Sequence, residues 1–283
     1  MRLVTYKLGN EVPAVGVVVA DHVFPLGPPA FSDMTAFLSA GATALSAALE
    51  LSSGHAQPSA RHRLGDVTLL APVTRPGKII AVGLNYRDHA IETKLEIPTA
   101  PIIFAKFPSS INGPDADVVI PGDDPQVDYE AELAVVIGRK AKAVSEADAL
   151  SYVAGYMPLN DVSARRWQFA DKQWVRGKSP DTFCPTGPWL TTVHDVADPH
   201  GLAIRMRINE NTVQNSNTSN LIFRIPTLIQ FITAAITLEP GDIIATGTPD
   251  GVGVFSKPPV FLKSGDVMEV DIEGLGVLRN RVV

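Results

Sequence analysis

The sequence predicts a mostly β protein with few helices. Three observations carry this. The apolar segments are short β-branched runs bounded by turn residues. Stretches with helical periodicity are few, and they do not alternate regularly with the strands, which disfavours a doubly wound α/β sheet. The 22 glycines and 23 prolines among 283 residues are scattered along the chain, as many tight turns require.

Taken in order, strands are expected at Arg2–Lys7, Ala14–Ala20 and His22–Leu26. A helix follows from about Asp33 to Leu51, with Met34, Phe37, Leu38, Leu45 and Leu49 at helical spacing. Ser52–Arg63 reads as a loop, and a Pro-rich corner at Arg75-Pro76-Gly77 follows. The boundary near residue 73 divides a small N-terminal domain (1–72) from a larger one (73–283). Further strands are expected at Lys78–Val82, Pro101–Ala105, Asp117–Ile120, Tyr129–Ile137, Ala203–Ile208, Asp242–Thr246, Asp266–Ile272 and Val277–Val282, the last two joined by a turn at Glu273–Gly276. Ser145-Glu146-Ala147-Asp148 looks like a capping box, opening a helix that ends near Gly155-Tyr156. Another helix runs from Pro226 to Thr237.

The formal charge of −6 leaves no basic field for a nucleic-acid backbone. No apolar run reaches the roughly 20 residues of a membrane helix. Met1–Asn10 alternates like a strand and lacks a secretory h-region. The single cysteine, Cys184, cannot form an intrachain disulfide. These features lead to the expectation of a soluble, cytoplasmic protein.

Chemistry concentrates in five segments. In Asp128-Tyr129-Glu130-Ala131-Glu132, strand periodicity puts three carboxylates on one face, beside Leu-Ala-Val-Val-Ile. Either that face is solvated, or a hard divalent cation such as Mg²⁺ sits between the acids. Asp161 can complete an oxygen site; equally, Asp161 or Ser163 can cap the following turn. Gly177-Lys178-Ser179 is not a phosphate loop, since Lys172 stands where that motif needs glycine and Pro180 breaks the next helix. In its Gly/Pro-fixed loop Lys178 either neutralises a carbonyl oxygen or a carboxylate or, taken alone, is a surface charge, and Cys184 reads as a packing residue. If Tyr86–Lys94 is helical, His89 and Glu92 are i and i+3 neighbours, either a general-base dyad or a surface ion pair. Gly247, Gly251 and Gly253 follow a strand without a helix behind them, so they fit close backbone approach to a ligand, with Thr248 offering a hydroxyl.

Together, VGLNYRDHAIE, DYEAELAVVIG, NDVSARRWQ, RGKSPDTFCPTGPW and PGDIIATGTPDGVG, in that order, resemble the fumarylacetoacetate hydrolase family over about residues 73–283. The resemblance implies a mixed β-roll with a small N-terminal β-rich domain, and a homodimer. It assigns Glu130, Glu132 and Asp161 to Mg²⁺ or Mn²⁺. It makes His89 and Glu92 a water-activating dyad on a lid and sets Lys178 against a substrate oxygen. Arg165, Gln168 and Thr248 would bind the substrate, a small 2-oxo acid, and Ile91–Thr99 with Trp167–Trp174 would wall the pocket. The implied activity is metal-dependent hydrolysis of a C–C bond in an acylpyruvate or fumarylpyruvate. Oxaloacetate decarboxylation, 2-hydroxy-dienedioate isomerisation and sugar-acid dehydration are the alternatives on the same site, and a metal- or anion-binding protein with a dead site is the non-enzyme alternative. Arg166 stands where many relatives have Asp, which weakens any transfer of substrate identity.

Overall fold

Strand Ala131–Ile137 is buried at every position and lies in the middle of the molecule. The computed structural model describes residues 1–27, 31, 33–54, 60–122 and 126–283. On one side this strand pairs antiparallel with Val153–Asn160; on the other it pairs antiparallel with Ile243–Ala245. Ile243–Ala245 then runs parallel to Ile79–Gly83, which pairs with the edge strand Ile102–Lys106. In the opposite direction the sheet continues through Leu190–Thr192 into Arg2–Lys7, Ala14–Val19, His22–Pro25 and His62–Arg63. With Thr68–Leu70 beside Arg2–Lys7, the sheet has 11 strands.

A second, antiparallel sheet of four strands is ordered Asn211–Asn217, Ala203–Ile208, Val267–Ile272, Gly276–Arg281. The two sheets bury a shared core. Because strand side chains alternate, Leu133, Val135 and Ile137 join Ile204, Met206, Val270 and Leu278 in that core. Ala134 and Val136 face the other way, onto a core with Leu3, Phe37 and Leu38. The central strand therefore has no solvated face, and its continuous apolar run is the mark of that burial.

Five expectations need correction. The helix expected over Asp33–Leu51 is two helices, Met34–Ser39 and Ala42–Ser52. Asp33 caps the first, accepting from the Ala36 N–H at 2.8 Å. The break falls at Gly41, whose φ of +70° no right-handed helix continues through. The loop expected at Ser52–Arg63 falls partly outside the described residues, at 55–59, and its last two residues form a strand.

Ser145 and Asp148 do bond to each other, but the turn opens only a 3-10 turn at Ala149–Tyr152. Val153–Asn160 is then a central strand, not the end of a helix. Gly155 and Pro158 each have a place in it. A Cβ on Gly155 would lie 2.2 Å from the Thr191 carbonyl oxygen, so only glycine lets these strands meet. The Pro158 carbonyl accepts from Gly187 N–H at 3.1 Å.

The strand expected at Asp117–Ile120 makes only a single bridge, Val118 to Val282. The strand expected at Tyr129–Ile137 is interrupted, since Val127–Asp128 pairs with Ser163–Ala164 and pairing resumes at Ala131. Two polar strands, Leu190–Thr192 and Asn211–Asn217, carry too little apolar alternation to have been expected. The helix Ile225–Ala235 and the terminal hairpin match expectation to within about two residues.

Replacing Gly155 by Ala is expected to destabilise the protein by about 1–3 kcal/mol in chemical unfolding, through overpacking at Thr191. Wild-type stability of that variant would contradict the close strand approach.

Candidate metal centre and active site

Backbone pairing assembles the site. Ala131 stands opposite Asn160, so the next residues, Glu130 and Asp161, meet at the strand ends. The Asp161 N–H donates to the Glu130 carbonyl at 2.9 Å, and the Glu130 N–H donates to Asn160 Oδ1 at 3.0 Å. On the far side, pairing with Ile243–Ala245 carries Gly247 to Glu132, and its N–H donates to Glu132 Oε2 at 2.7 Å. Carboxylate oxygens of Glu130, Glu132 and Asp161 lie within 4.8 Å of one another, all buried.

Three buried cations surround these acids. Lys178 Nζ lies 2.8 Å from Glu130 Oε2 and 2.8 Å from Asp161 Oδ2. It is 2% exposed, so the surface-charge reading of Lys178 is corrected. The cause is Gly177, which lets the short Val175–Lys178 helix lie against Gln168; a Cβ there would sit 2.7 Å from the Gln168 nitrogen. Arg165 binds Asp128 Oδ2 through Nε at 2.8 Å and Glu130 Oε1 through NH1 at 2.7 Å. Lys106 Nζ donates to Asp161 Oδ1 at 2.6 Å and to the Lys178 carbonyl.

Lys106 was not foreseen. Its only signal was a lysine ending the apolar run PIIFAK. Asp161 and Ser163 do not cap the Arg165–Ala170 helix as considered, because Lys106 and Lys178 hold the Asp161 carboxylate. The Ser163 hydroxyl instead donates to the Asp161 carbonyl. Asp128 sits apart from the triad, accepting from Arg165 and from the Tyr129, Gly253 and Val254 N–H groups.

The cluster thus holds Asp128, Glu130, Glu132 and Asp161 against Lys106, Arg165 and Lys178, and Glu132 takes no part in its ion pairs. Burial raises the Glu130 pKa, but Lys178 and Arg165 outweigh it and hold the group below the usual carboxylate range. Burial would lower the Lys178 pKa; Asp161 and Glu130 outweigh that and raise it. For Glu132, burial and then the charges of Asp161 and Glu130 push the carboxyl well above its ordinary pKa. A surplus buried carboxylate in an all-oxygen donor set fits a hard divalent cation such as Mg²⁺ or Mn²⁺.

His89 and Glu92 lie on the Arg87–Thr93 helix, with His89 Nδ1 2.8 Å from Glu92 Oε2. Glu92 Oε1 accepts from the Gly251 N–H at 2.9 Å. The N-terminal end of this helix is pinned: Asp88 bonds Ser216 and Asn220, and Arg87 donates to the Leu221 carbonyl at 2.9 Å. Gly247, at φ +103°, lets Asn85 pack there, since a Cβ would fall 2.8 Å from Asn85 Cβ.

His89, Glu130, Glu132, Arg165, Gln168, Lys178 and Thr248 all line one cavity of about 140 Å³. Gln168 Oε1 accepts from Arg165 at 3.0 Å, leaving its NH₂ for another acceptor. The Thr248 hydroxyl donates to the Ala131 carbonyl and accepts from Gln214 Nε2, both at 2.9 Å, so its proton is already committed. Burial pushes the Cys184 thiol up to about 12, in keeping with packing. Arg166 is exposed.

A buried carboxylate triad and a histidine–carboxylate dyad, with Glu130, Glu132 and His89 lining one cavity, define the chain as a metal-dependent enzyme. Residues 78–283 match the family description Fumarylacetoacetate (FAA) hydrolase C-terminal, and the chain belongs to that family. It is 47% identical to Oxaloacetate tautomerase Fahd2a, mitochondrial, of Rattus norvegicus, over 100% of this chain and 92% of that protein. Oxaloacetate tautomerase FAHD2A, mitochondrial, of Homo sapiens is also 47% identical, with the same coverage. Among solved structures, a maleylpyruvate hydrolase from Sphingobium sp. SYK-6, in complex with manganese(II) and pyruvate, is 33% identical. It superposes with a TM-score of 0.82, covering 100% of this chain and 99% of that one. The mitochondrial names of the relatives overturn the cytoplasmic expectation. That expectation rested on the single cysteine and on the lack of a secretory h-region and of a membrane-length apolar run, none of which speaks to a mitochondrial address.

The raised Glu132 pKa means that a proton competes with the cation. Mg²⁺ affinity should therefore rise with pH until Glu132 is ionised, with a proton released on binding. Calorimetry across a pH series checks this, and pH-independent affinity would contradict it. Glu132→Gln should weaken Mg²⁺ binding at least about 100-fold without lowering the metal-free Tm. A large fall in that Tm would mean that Glu132 is structurally paired.

Proposed function

We propose that the chain is an oxaloacetate tautomerase, interconverting the keto and enol forms of a four-carbon 2-oxo diacid. The observation that carries this is the size and lining of the cavity. At about 140 Å³ it is well below the roughly 300–1,000 Å³ of pockets for drug-sized ligands. It is lined by Glu130 and Glu132 of the acid triad, by His89 and by Lys178, so it suits a small acid that must form an enolate. The full-length similarity to proteins named oxaloacetate tautomerases supports the same reading.

Glu130, Glu132 and Asp161 would hold Mg²⁺, which supplies Lewis-acid polarisation of a 2-oxo carbonyl. The remaining work belongs to the chain. Glu92 holds the Nδ1–H tautomer of His89 and leaves the Nε2 lone pair free, the arrangement of a general base. His89 takes a proton from C3 and returns it to the C2 oxygen; the reverse path ketonises the enol. Lys178 spends two of its three N–H donors on Glu130 and Asp161, and the third meets the enolate oxygen. The Gln168 NH₂ is placed to donate to a substrate carboxylate.

Oxaloacetate decarboxylation breaks the C3–C4 bond instead, releasing CO₂ and leaving the enolate of pyruvate; the C3 protons stay in place, so it needs no base. Hydrolysis of an acylpyruvate, the leading expectation from the sequence, is the second reading. The His89–Glu92 dyad favours it, since the same base can activate water.

A panel of oxaloacetate, acetylpyruvate and fumarylpyruvate, each with Mg²⁺ and with chelator, separates these activities. Enol oxaloacetate should convert to keto in a chelator-sensitive manner, followed by loss of enol absorbance. His89→Ala should slow this at least about 100-fold while sparing decarboxylation. Metal-dependent cleavage of acetylpyruvate or fumarylpyruvate with no effect on the oxaloacetate equilibration rate would overturn the tautomerase reading.

A further inference from the structure

Gly251 and Gly253, expected to approach a ligand, approach the protein's own carboxylates. The Gly251 N–H donates to Glu92 Oε1 at 2.9 Å, and the Gly253 N–H donates to Asp128 Oδ1 at 2.8 Å. The Val254 N–H donates to the other oxygen of Asp128 at 3.0 Å. Gly253–Phe255 forms a 3-10 turn, which delivers Phe255 to His89. The two rings meet at a tilt of 58°, with centroids 5.9 Å apart, and both residues line the cavity. The segment 251–255 therefore touches both members of the dyad, Glu92 through a backbone N–H at one end and His89 through an aromatic ring at the other. The same segment is fastened to the residues that precede the metal triad. Besides the two bonds to Asp128, the Tyr129 hydroxyl donates to the Gly251 carbonyl at 3.2 Å. Asp128 and Tyr129 are both buried and lead directly into Glu130. A Cβ on Gly251, at φ +95°, would fall 2.0 Å from the Val213 carbonyl oxygen, so the segment is also pressed against the strand Asn211–Asn217.

We propose that Tyr129 and Phe255 are positioning residues for the His89–Glu92 base, acting through the segment 251–255 to fix the base relative to the metal triad. The proposal rests on the reading of this dyad as the base of the reaction. Glu92 is held at both oxygens, Oε2 by His89 and Oε1 by Gly251. Its carboxylate cannot turn without breaking one of these bonds, so the imidazole it grips keeps the Nδ1–H tautomer. Phe255 limits the turning of the same imidazole from the other end of the segment. Tyr129 keeps the Gly251 end in place, and because Tyr129 adjoins Glu130, base and triad share one frame. The dyad's own helix supplies less restraint beyond its first turn, where Ile91 is exposed. With either tether gone, the imidazole turns and the Nε2 lone pair loses its fixed direction toward the substrate carbon.

The test reads the imidazole directly, without turnover. Nitrogen NMR of isotope-labelled histidine is recorded on the metal-free protein at alkaline pH, and the His89 signals are assigned by their loss in His89→Gln. The wild type should show a single Nδ1–H tautomer. Tyr129→Phe and Phe255→Leu should each replace it by an averaged signal, and Phe255→Tyr, which keeps the ring, should restore it. An unchanged His89 signal in both Tyr129→Phe and Phe255→Leu overturns the proposal. So does a change accompanied by an equal loss of Mg²⁺ affinity, which would mean that the acid cluster itself had moved. Oxaloacetate equilibration is assayed in parallel. In the two variants kcat should fall about tenfold to a hundredfold with KM unchanged. No equilibration by the wild type, with the His89 signals changing as expected, removes the tautomerase reading and leaves the positioning role standing. Equilibration at equal rates in the wild type and the variants does the reverse. A wild-type His89 without a fixed tautomer overturns both.

Discussion

Among the described residues, Glu132 is a buried carboxylate without an ion-pair partner. Its neighbours Asp128, Glu130 and Asp161 are matched by Arg165, Lys178 and Lys106, while Glu132 has a backbone N–H from Gly247. Isolated buried charge costs several kcal/mol, so such a group either takes up a proton or meets a cation from outside. Much of the local structure serves this arrangement. The interruption after Asp128 turns Glu130 toward Lys178, and the register of Ala131 opposite Asn160 sets Asp161 beside it. Gly155 lets the strand bearing Asn160 lie against its other neighbour, and Gly177 brings Lys178 inward.

The three matched pairs also explain why the site is stiff. Each cation is shared: Arg165 holds Asp128 and Glu130, Lys178 holds Glu130 and Asp161, and Lys106 ties Asp161 to the Lys178 backbone. Removing one member leaves an unpaired buried charge on another, so the cluster behaves as a unit. The dyad is held differently. Its helix is anchored at one end by Arg87 and Asp88, while Ile91 on the same helix is 78% exposed. A rigid cluster that stabilises an enolate and a base on a more exposed helix suit proton transfer at carbon. The same parts suit decarboxylation and C–C hydrolysis.

The sequence made the acids and the dyad legible because both are local. Glu130 and Glu132 are two residues apart, and His89 and Glu92 are three apart on a short helix. The mostly β class was legible from the β-branched runs. Less could be read where meaning depends on distant partners. Lys106 and Asp161 are separated by 55 positions, and nothing near either one announces the pair. Lys178 looked like a surface charge because its burial is set by Gly177 packing on Gln168. Val153–Asn160 is not legible as a strand, since the capping box at Ser145–Asp148 points to a helix and its strand partners lie far off in sequence; tight approach to Thr191 demands the glycine. Thr248 was expected to offer its hydroxyl to substrate, but its proton is already used by the Ala131 carbonyl.

The central claim is that the surplus charge at Glu132 is the seat of a divalent cation. Anomalous diffraction from crystals grown with Mn²⁺ tests it most directly. The account predicts a single strong peak bounded by carboxylate oxygens of Glu130, Glu132 and Asp161, with Lys178 still paired to Glu130. A peak elsewhere, or an ordered protein with no peak at these three residues, would contradict it.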